Sequence, residues 1–319
     1  MKLTHSIDDI DLKVHVLKTL LYYDIFSYPL KSEEIFQFLG TNSITKEDVR
    51  TTLDALANDV IVYKFDNLYS LHADKSYIER RVKGNEQADK YLPIAQKQAK
   101  LISRFPFVRA VLASGSLSKG YMDEKSDIDF FIITAPRRLW IARTLLVLYK
   151  RLFLGGSHKH FCVNYFVDED HLEIEEKNLF TATELATVLP LDGAEQYKRL
   201  INTNAWVGDF FPNYIPRSTE NVSMSTTKGI KKIVEKLINA CFALNIESYF
   251  KRLTIKRWKK LYENEYSKDD FDIAFKSKTY ASKNHPRHFQ RKIMETYAEK
   301  VKLFDFSSVL KNKRKTSAG

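Results

Sequence analysis

Between two apolar stretches the chain reads Gly115-Ser116-Leu117-Ser118-Lys119-Gly120 and then, after a ten-residue spacer from Ser116, Asp127-Ile128-Asp129-Phe130. A small Gly-Ser pair directly after an apolar run lets backbone approach a phosphate closely, and its N–H groups with the Ser116 hydroxyl can bond phosphate oxygens. Gly120 adds freedom to the same turn and Lys119 adds positive charge. Asp127 and Asp129, two residues apart in an apolar run, are expected on one face of a strand, since side chains alternate there. Two adjacent carboxylates repel unless a cation lies between them. Hard divalent ions such as Mg²⁺ are held by a few carboxylates together with substrate phosphates, and a pair of them can activate an attacking hydroxyl and stabilise a leaving pyrophosphate.

These residues need a rigid scaffold, and the flanking sequence supplies one. Val108 to Ser114 reads as a buried strand, Ile128 to Thr134 as a second and Phe161 to Val167 as a third, with a helix over Arg137 to Phe153 between the last two. A long helix over Tyr77 to Arg104, stopped by Pro106, leads into this unit. Upstream, helical spacing over Leu12 to Phe26, a restart at Lys31 to Gln37 and a capping-box start at Thr45 and Asp48 predict three helices. The alternation around a turn at Asp66-Asn67 predicts a hairpin after them. Three helices and a two-stranded wing resemble a winged helix-turn-helix domain.

At the Gly-Ser pair, the spacer and the apolar-flanked Asp-x-Asp, the chain resembles the DNA polymerase β-like nucleotidyltransferase superfamily over about Phe105 to Asp168. The resemblance implies transfer of a nucleoside monophosphate from a nucleoside triphosphate, ATP first among them, to an acceptor, with release of pyrophosphate. It implies Gly115 and Ser116 on the triphosphate and two Mg²⁺ ions on Asp127 and Asp129; Lys119, by its charge, is a further candidate for the triphosphate. Members of that superfamily usually carry a third carboxylate on a neighbouring strand, where this chain has Asn164. An amide oxygen can ligate Mg²⁺ but cannot serve as a base. Asp168, Asp170 and Glu173 stand just beyond and could substitute in another register. A degenerate, non-catalytic nucleotide- or nucleic-acid-binding regulator is the alternative. The acceptor, whether small molecule, protein or RNA, is left open. His158 and His160, flanking Lys159, are expected as surface residues rather than as a transition-metal site.

The expected class is therefore α+β: a winged-helix-like domain over 1–90, a small mixed-sheet nucleotidyltransferase core over 91–175, and a helical, basic domain over 176–319. The net charge of +11 is uneven, with 23 basic against 10 acidic residues between 225 and 319. That field favours polyanionic or nucleotide partners. Residues 1–90 hold 12 basic and 15 acidic residues, which opposes DNA docking by the winged-helix-like part. The stripe Ile230, Ile233, Val234, Leu237, Ile238, Cys241 and Leu244 is expected to face a core. Arg287 and Arg291, at i and i+4, are candidates to clamp an anionic acceptor or pyrophosphate on one helical face. The 2 cysteines form no CxxC motif, no secretory signal opens the chain, and charged residues interrupt every long apolar window. A cytoplasmic protein without membrane contact is expected.

Overall fold

Local sequence builds the first unit as expected. The computed structural model describes residues 9–155, 159–224, 229–240, 243–284 and 289–310. It opens with α1 (Asp9–Asp24), α2 (Ser32–Gln37) and α3 (Lys46–Asn58), followed by the hairpin β1 (Tyr63–Phe65) and β2 (Leu68–Ser70). At the start of α3 the Asp48 N–H donates to Thr45 Oγ1 at 3.1 Å, while the Thr45 N–H donates to Asp48 Oδ2 at 2.7 Å. This reciprocal cap satisfies two donors that a helix start otherwise leaves open. Leu30 adds a bridge to Tyr69 at the edge of the hairpin. Leu17, Ile35, Val49, Leu53 and Leu56 form the common core of the three helices.

The chain continues through α4 (Ser76–Ile102), β3 (Val108–Ser114), the single turn α5 (Gly115–Ser118), β4 (Asp129–Thr134), α6 (Leu139–Phe153) and β5 (Cys162–Asp168). Then come α7 (Leu179–Thr187), β6 (Leu189–Asp192), α8 (Ala194–Thr203) and the short α9 (Val207–Phe210). The last third holds α10 (Gly229–Ala240), α11 (Ala243–Tyr262), α12 (Lys268–Ala274), β7 (Ala281–Lys283), α13 (Phe289–Leu303) and the short α14 (Ser307–Leu310).

Five strands form one mixed sheet in the order β6-β3-β4-β5-β7. Only β4 and β5 are parallel, joined by the α6 crossover; the other three pairs are antiparallel. The alternation of side chains gives the sheet two apolar faces. Val111, Ala113, Phe130, Ile132 and Phe166 point to the face covered by α4, α6 and α11. Leu112, Phe131, Ile133 and Val167 point to the face covered by α7 and α8. The chain is thus α+β with a mixed sheet. Ile293 of α13 and Val309 of α14 pack into the core of α1 to α3, so the C-terminal helices close on the N-terminal unit. Arg81 of α4 fastens that unit to the sheet side through two 2.8 Å bonds to Glu34 of α2. Among the described residues, no helix is long and apolar enough to cross a membrane.

The stripe on α10 meets the core only in part, through Ile238. Ile230, Ile233 and Leu237 are exposed, and α10 is fastened by polar groups; Cys241 lies outside the described residues. Glu235 accepts the Phe107 N–H at 2.6 Å and pairs with both terminal nitrogens of Arg109 at 2.9 Å. Lys231 donates to the carbonyls of Ser103 and Val108 at 2.8 and 2.6 Å. A helix held by buried charge pairs leaves its apolar positions free to turn outward, which hydropathy spacing cannot reveal.

The start of α6 has the same kind of support. Its N-cap Arg138 makes no side-chain cap, and Glu247 of α11 instead accepts the N–H groups of Trp140 and Ile141 at 2.7 and 2.9 Å. Glu247→Ala leaves both buried donors without an acceptor and should cost about 1–3 kcal/mol. Urea unfolding checks this, with Glu247→Gln recovering part of the loss through its remaining amide oxygen.

Candidate functional site

The pairing of β3 with β4 sets Ser114 opposite Asp129, so the residue after Ser114 turns directly across the Asp129 carboxylate. That residue is Gly115, with φ +66°, and a Cβ built on it would stand 2.6 Å from Asp129 Oδ2. Both the left-handed conformation and the close approach demand glycine. The turn behind it is held from several sides. Ser118 Oγ and Lys119 Nζ donate to the Gly115 carbonyl at 2.9 and 3.0 Å, and Arg217 Nη2 donates to the Ser118 carbonyl at 3.1 Å. The Lys119 and Tyr121 N–H groups both bond the Ser116 carbonyl.

Asp129 begins β4, and Asp127 lies in the segment leading into the strand. The Ile128 carbonyl between them accepts the Cys162 N–H at 3.0 Å, which ties this segment to the start of β5. Burial, with the charges of Asp127 and Glu184 adding to it, raises Asp129 to about 7, against a hydrogen bond with Cys162 and the charge of Lys119. The β4–β5 register slips between Val163 and Tyr165, leaving Asn164 as the extra residue. Such a bulge re-aims a side chain, and Asn164 Nδ2 donates to Asp129 Oδ1 at 2.9 Å.

Asp129, Asn164, Gly115 and Ser116 line one side of a cavity of about 370 Å³. Phe131 and Tyr165 of the sheet, Phe180 and Leu185 of α7, and Phe289 of α13 make it largely apolar. Lys283, Asn284 and Arg291 also line it, Asn284 next to the candidate site, its N–H donating to the Asn164 carbonyl at 2.9 Å. Burial holds the Lys283 ammonium below its ordinary value, and it donates to Gln290 Oε1 at 3.1 Å. Asn284 Oδ1 is buried and has no hydrogen-bond partner among the described residues. Arg291 Nε bonds Glu295 Oε1 at 2.8 Å. Arg287 lies outside the described residues, as does His158; His160 packs against Tyr91.

Asp168, which ends β5, and Asp170 and Glu173 beyond it do not stand beside Asp129. Asp129 pairs with Cys162 while Thr134 pairs with Asp168, so Asp168 sits at the opposite end of the strand, roughly 17 Å away over five ladder steps of 3.3 Å. It is buried there, bonded to His171 Nδ1 at 2.7 Å and to the Arg137 N–H at 3.3 Å. Asp170 and Glu173 follow at that end, and Glu173 pairs with Lys177.

Besides Asp129, two carboxylates line the cavity: Glu176, which accepts a 3.0 Å bond from Lys276 Nζ, and Glu184 of α7. Asn178 caps that helix, its Oδ1 accepting the Thr181 N–H at 3.0 Å. Glu184 Oε1 takes a 2.7 Å bond from Lys119 Nζ, which also donates to the Gly115 carbonyl. Lys119 therefore links the glycine turn to the acidic wall. Sequence reading places a helix over these residues but has no signal for which face meets the sheet.

Among the described residues no three His, Cys, Asp or Glu side chains converge as a metal site. A divalent cation here would take protein oxygens from Asp127, Asp129 and the Asn164 amide and complete its shell with phosphate oxygens and water. Compared with protein-family models, curated proteins and solved structures, the chain matches none.

Gly115→Ala should lower thermal stability by roughly 1–2 kcal/mol for the left-handed conformation alone, and by more because its methyl meets Asp129. In an Asp129→Ala background the cost should shrink toward the conformational part, since neighbours in contact are not additive. Equal costs in both backgrounds would show that φ alone dictates glycine.

Proposed function

We propose that the protein is a Mg²⁺-dependent nucleotidyltransferase of the polymerase β-like kind, acting on a nucleoside triphosphate, ATP first, in the cytoplasm. The observation that carries this reading is the approach of the Gly115 turn to the Asp129 carboxylate at the mouth of the cavity. A phosphate-sized group at this turn meets backbone N–H groups and the Ser116 hydroxyl on one side and carboxylates on the other. Asp127 and Asp129 fit the cation site, because a part-buried carboxylate beside another anion is stabilised by a cation between them. Bound there, Mg²⁺ would neutralise charge on the triphosphate and the leaving pyrophosphate.

The chain's own residues supply positioning. Gly115 and Ser116 orient the triphosphate; Asn164 fixes Asp129 by its hydrogen bond; Lys119 holds the turn and Glu184 in register. The acceptor oxygen attacks the α-phosphorus and the bond to pyrophosphate breaks. Glu184 Oε2, the oxygen that Lys119 leaves free of its bond, is the atom to take the acceptor's proton. Such catalysis is mostly orientation and charge neutralisation. The apolar cavity, with the buried Asn284 oxygen in its lining, suits a base or an acceptor's apolar body.

The unit of α1 to α3 with its hairpin has winged-helix order, and its acidic balance argues against DNA docking. The alternative of a non-catalytic nucleotide-binding regulator draws support from Asn164 standing where a carboxylate is usual; turnover with any acceptor excludes it.

Thermal stability measured against each of the four ribonucleoside triphosphates, with and without Mg²⁺, checks the reading. At 100 times its dissociation constant a bound triphosphate adds about 2.7 kcal/mol. One triphosphate should stabilise only with Mg²⁺, and the Asp127→Asn, Asp129→Asn double variant should lose the effect. No shift with any triphosphate would overturn the proposal.

A further inference from the structure

The cations of α6 and α11 take no part in the chemistry above, yet they are gathered rather than dispersed. Arg143 is buried against two tryptophan rings, its guanidinium carbon 5.9 Å from the centre of Trp140 and 4.7 Å from that of Trp258. Its charged neighbours are Arg151, two turns further along α6, and Arg257, which precedes Trp258 on α11; both are exposed. Among the described residues none of these three arginines forms an ion pair with a carboxylate. Burial, then the charges of Arg151 and Arg257, bring Arg143 down to about 10. Lys150 lies on the Arg143 side of the helix and is also buried. Its titratable neighbours are Cys162, Arg143, Arg151 and Asp127.

The stripe therefore has a direction. The α6 crossover returns from the end of β4 to the start of β5, where Cys162 pairs with Asp129, so the last turn of α6 stands at the carboxylate end of the sheet. One turn beyond Lys150 the ring of Phe153 is 71% exposed and stacks on Tyr149 with centres 5.0 Å apart. Guanidinium groups without carboxylate partners match the oxygens of phosphodiesters, and an open aromatic face beside them suits an unpaired base. A solvated basic helix has no need to press like charges together, one of them buried between indoles.

We propose that the Arg143, Arg151 and Arg257 cluster, continued by Lys150 and Phe153 toward Asp127, is a docking track for single-stranded nucleic acid that delivers a strand end to the Asp127–Asp129 site. Binding stands on the cluster alone, while the role of that end as acceptor rests on the nucleotidyl-transfer reading.

Fluorescence anisotropy of the full chain with a short labelled oligoribonucleotide tests the track, over a range of salt and beside the matching single-stranded DNA, a duplex and phosphatidylserine vesicles. The Arg151→Glu, Arg257→Glu variant changes exposed residues only and should lose at least about tenfold in affinity. Each phosphate contact to a single strand contributes about 0.7 to the slope of log affinity against log salt, so the slope should fall by roughly 1.4. Arg151→Gln, Arg257→Gln should show the same direction without introducing acidic charge. An equal loss in Lys18→Glu, Lys198→Glu, which makes the same charge change elsewhere, overturns the proposal, as does binding of vesicles or duplex in preference to single strands. The Asp127→Asn, Asp129→Asn variant should keep the oligonucleotide. Oligonucleotide binding without a triphosphate shift would leave the track standing and remove the transfer reading; a triphosphate shift without oligonucleotide binding would do the reverse.

Discussion

Everything around the candidate site depends on how closely the backbone at Gly115 approaches the carboxylate of Asp129. The β3–β4 register fixes the approach by pairing Ser114 with Asp129, and the missing side chain permits it. Once that contact is set, the surrounding groups have defined tasks. Lys119 binds the carbonyl of the same glycine and reaches Glu184 on α7, so the helix that walls the cavity is fixed to the turn that opens it. Asn164, released from the ladder by the bulge in β5, supplies a hydrogen bond to the other Asp129 oxygen. A one-residue change of register in either pair would turn these side chains to the opposite face.

The same economy of polar anchors governs the helices behind the sheet. Glu235 and Glu247 each reach from the last third of the chain to backbone N–H groups, near the start of β3 and at the start of α6 respectively. Buried carboxylates are costly to desolvate, and here each is offset by two or more donors. Burial still raises Glu247 above the ordinary carboxylate range, while in Glu235 the bonds from Arg109 and Phe107 outweigh burial and lower it. The difference follows from the partners: Arg109 brings a full positive charge, whereas Glu247 bonds only neutral amides.

Local signals were legible where their physics is local. The Thr45–Asp48 cap, the Asp66-Asn67 turn, the apolar strands and the helix between β4 and β5 all rest on short-range spacing and stand close to where the sequence puts them. Asp129 and Gly115 were legible because a motif spaced along one hairpin also meets in space. Glu184, Lys283 and Asn284 were not, because each enters the cavity through long-range packing of α7, β7 and α13. The exposed part of the apolar stripe of α10 misled for a related reason: spacing identifies an amphipathic helix but not which face its partners hold, and buried charge pairs overrode hydropathy. Asp168 looked available in sequence only because strand register cannot be read from it.

The charges at the cavity mouth show why the lysine there is better understood as part of the scaffold than as a free phosphate ligand. Asp127, Asp129 and Glu184 bring three carboxylates to one region, and Lys119 is bonded to Glu184 and to a backbone carbonyl. Moving its ammonium to a phosphate would break both bonds and leave Glu184 facing Asp129 without its nearest counter-charge. On the proposed nucleotidyl-transfer reading, a triphosphate would add further negative charge to the same place. The balance would then call for cations arriving with the ligand, and the hard oxygens of Asp127 and Asp129 are suited to receive them. Lys119 acts more effectively where it stands, because rigid carboxylates hold an ion in one geometry whereas mobile ones do not.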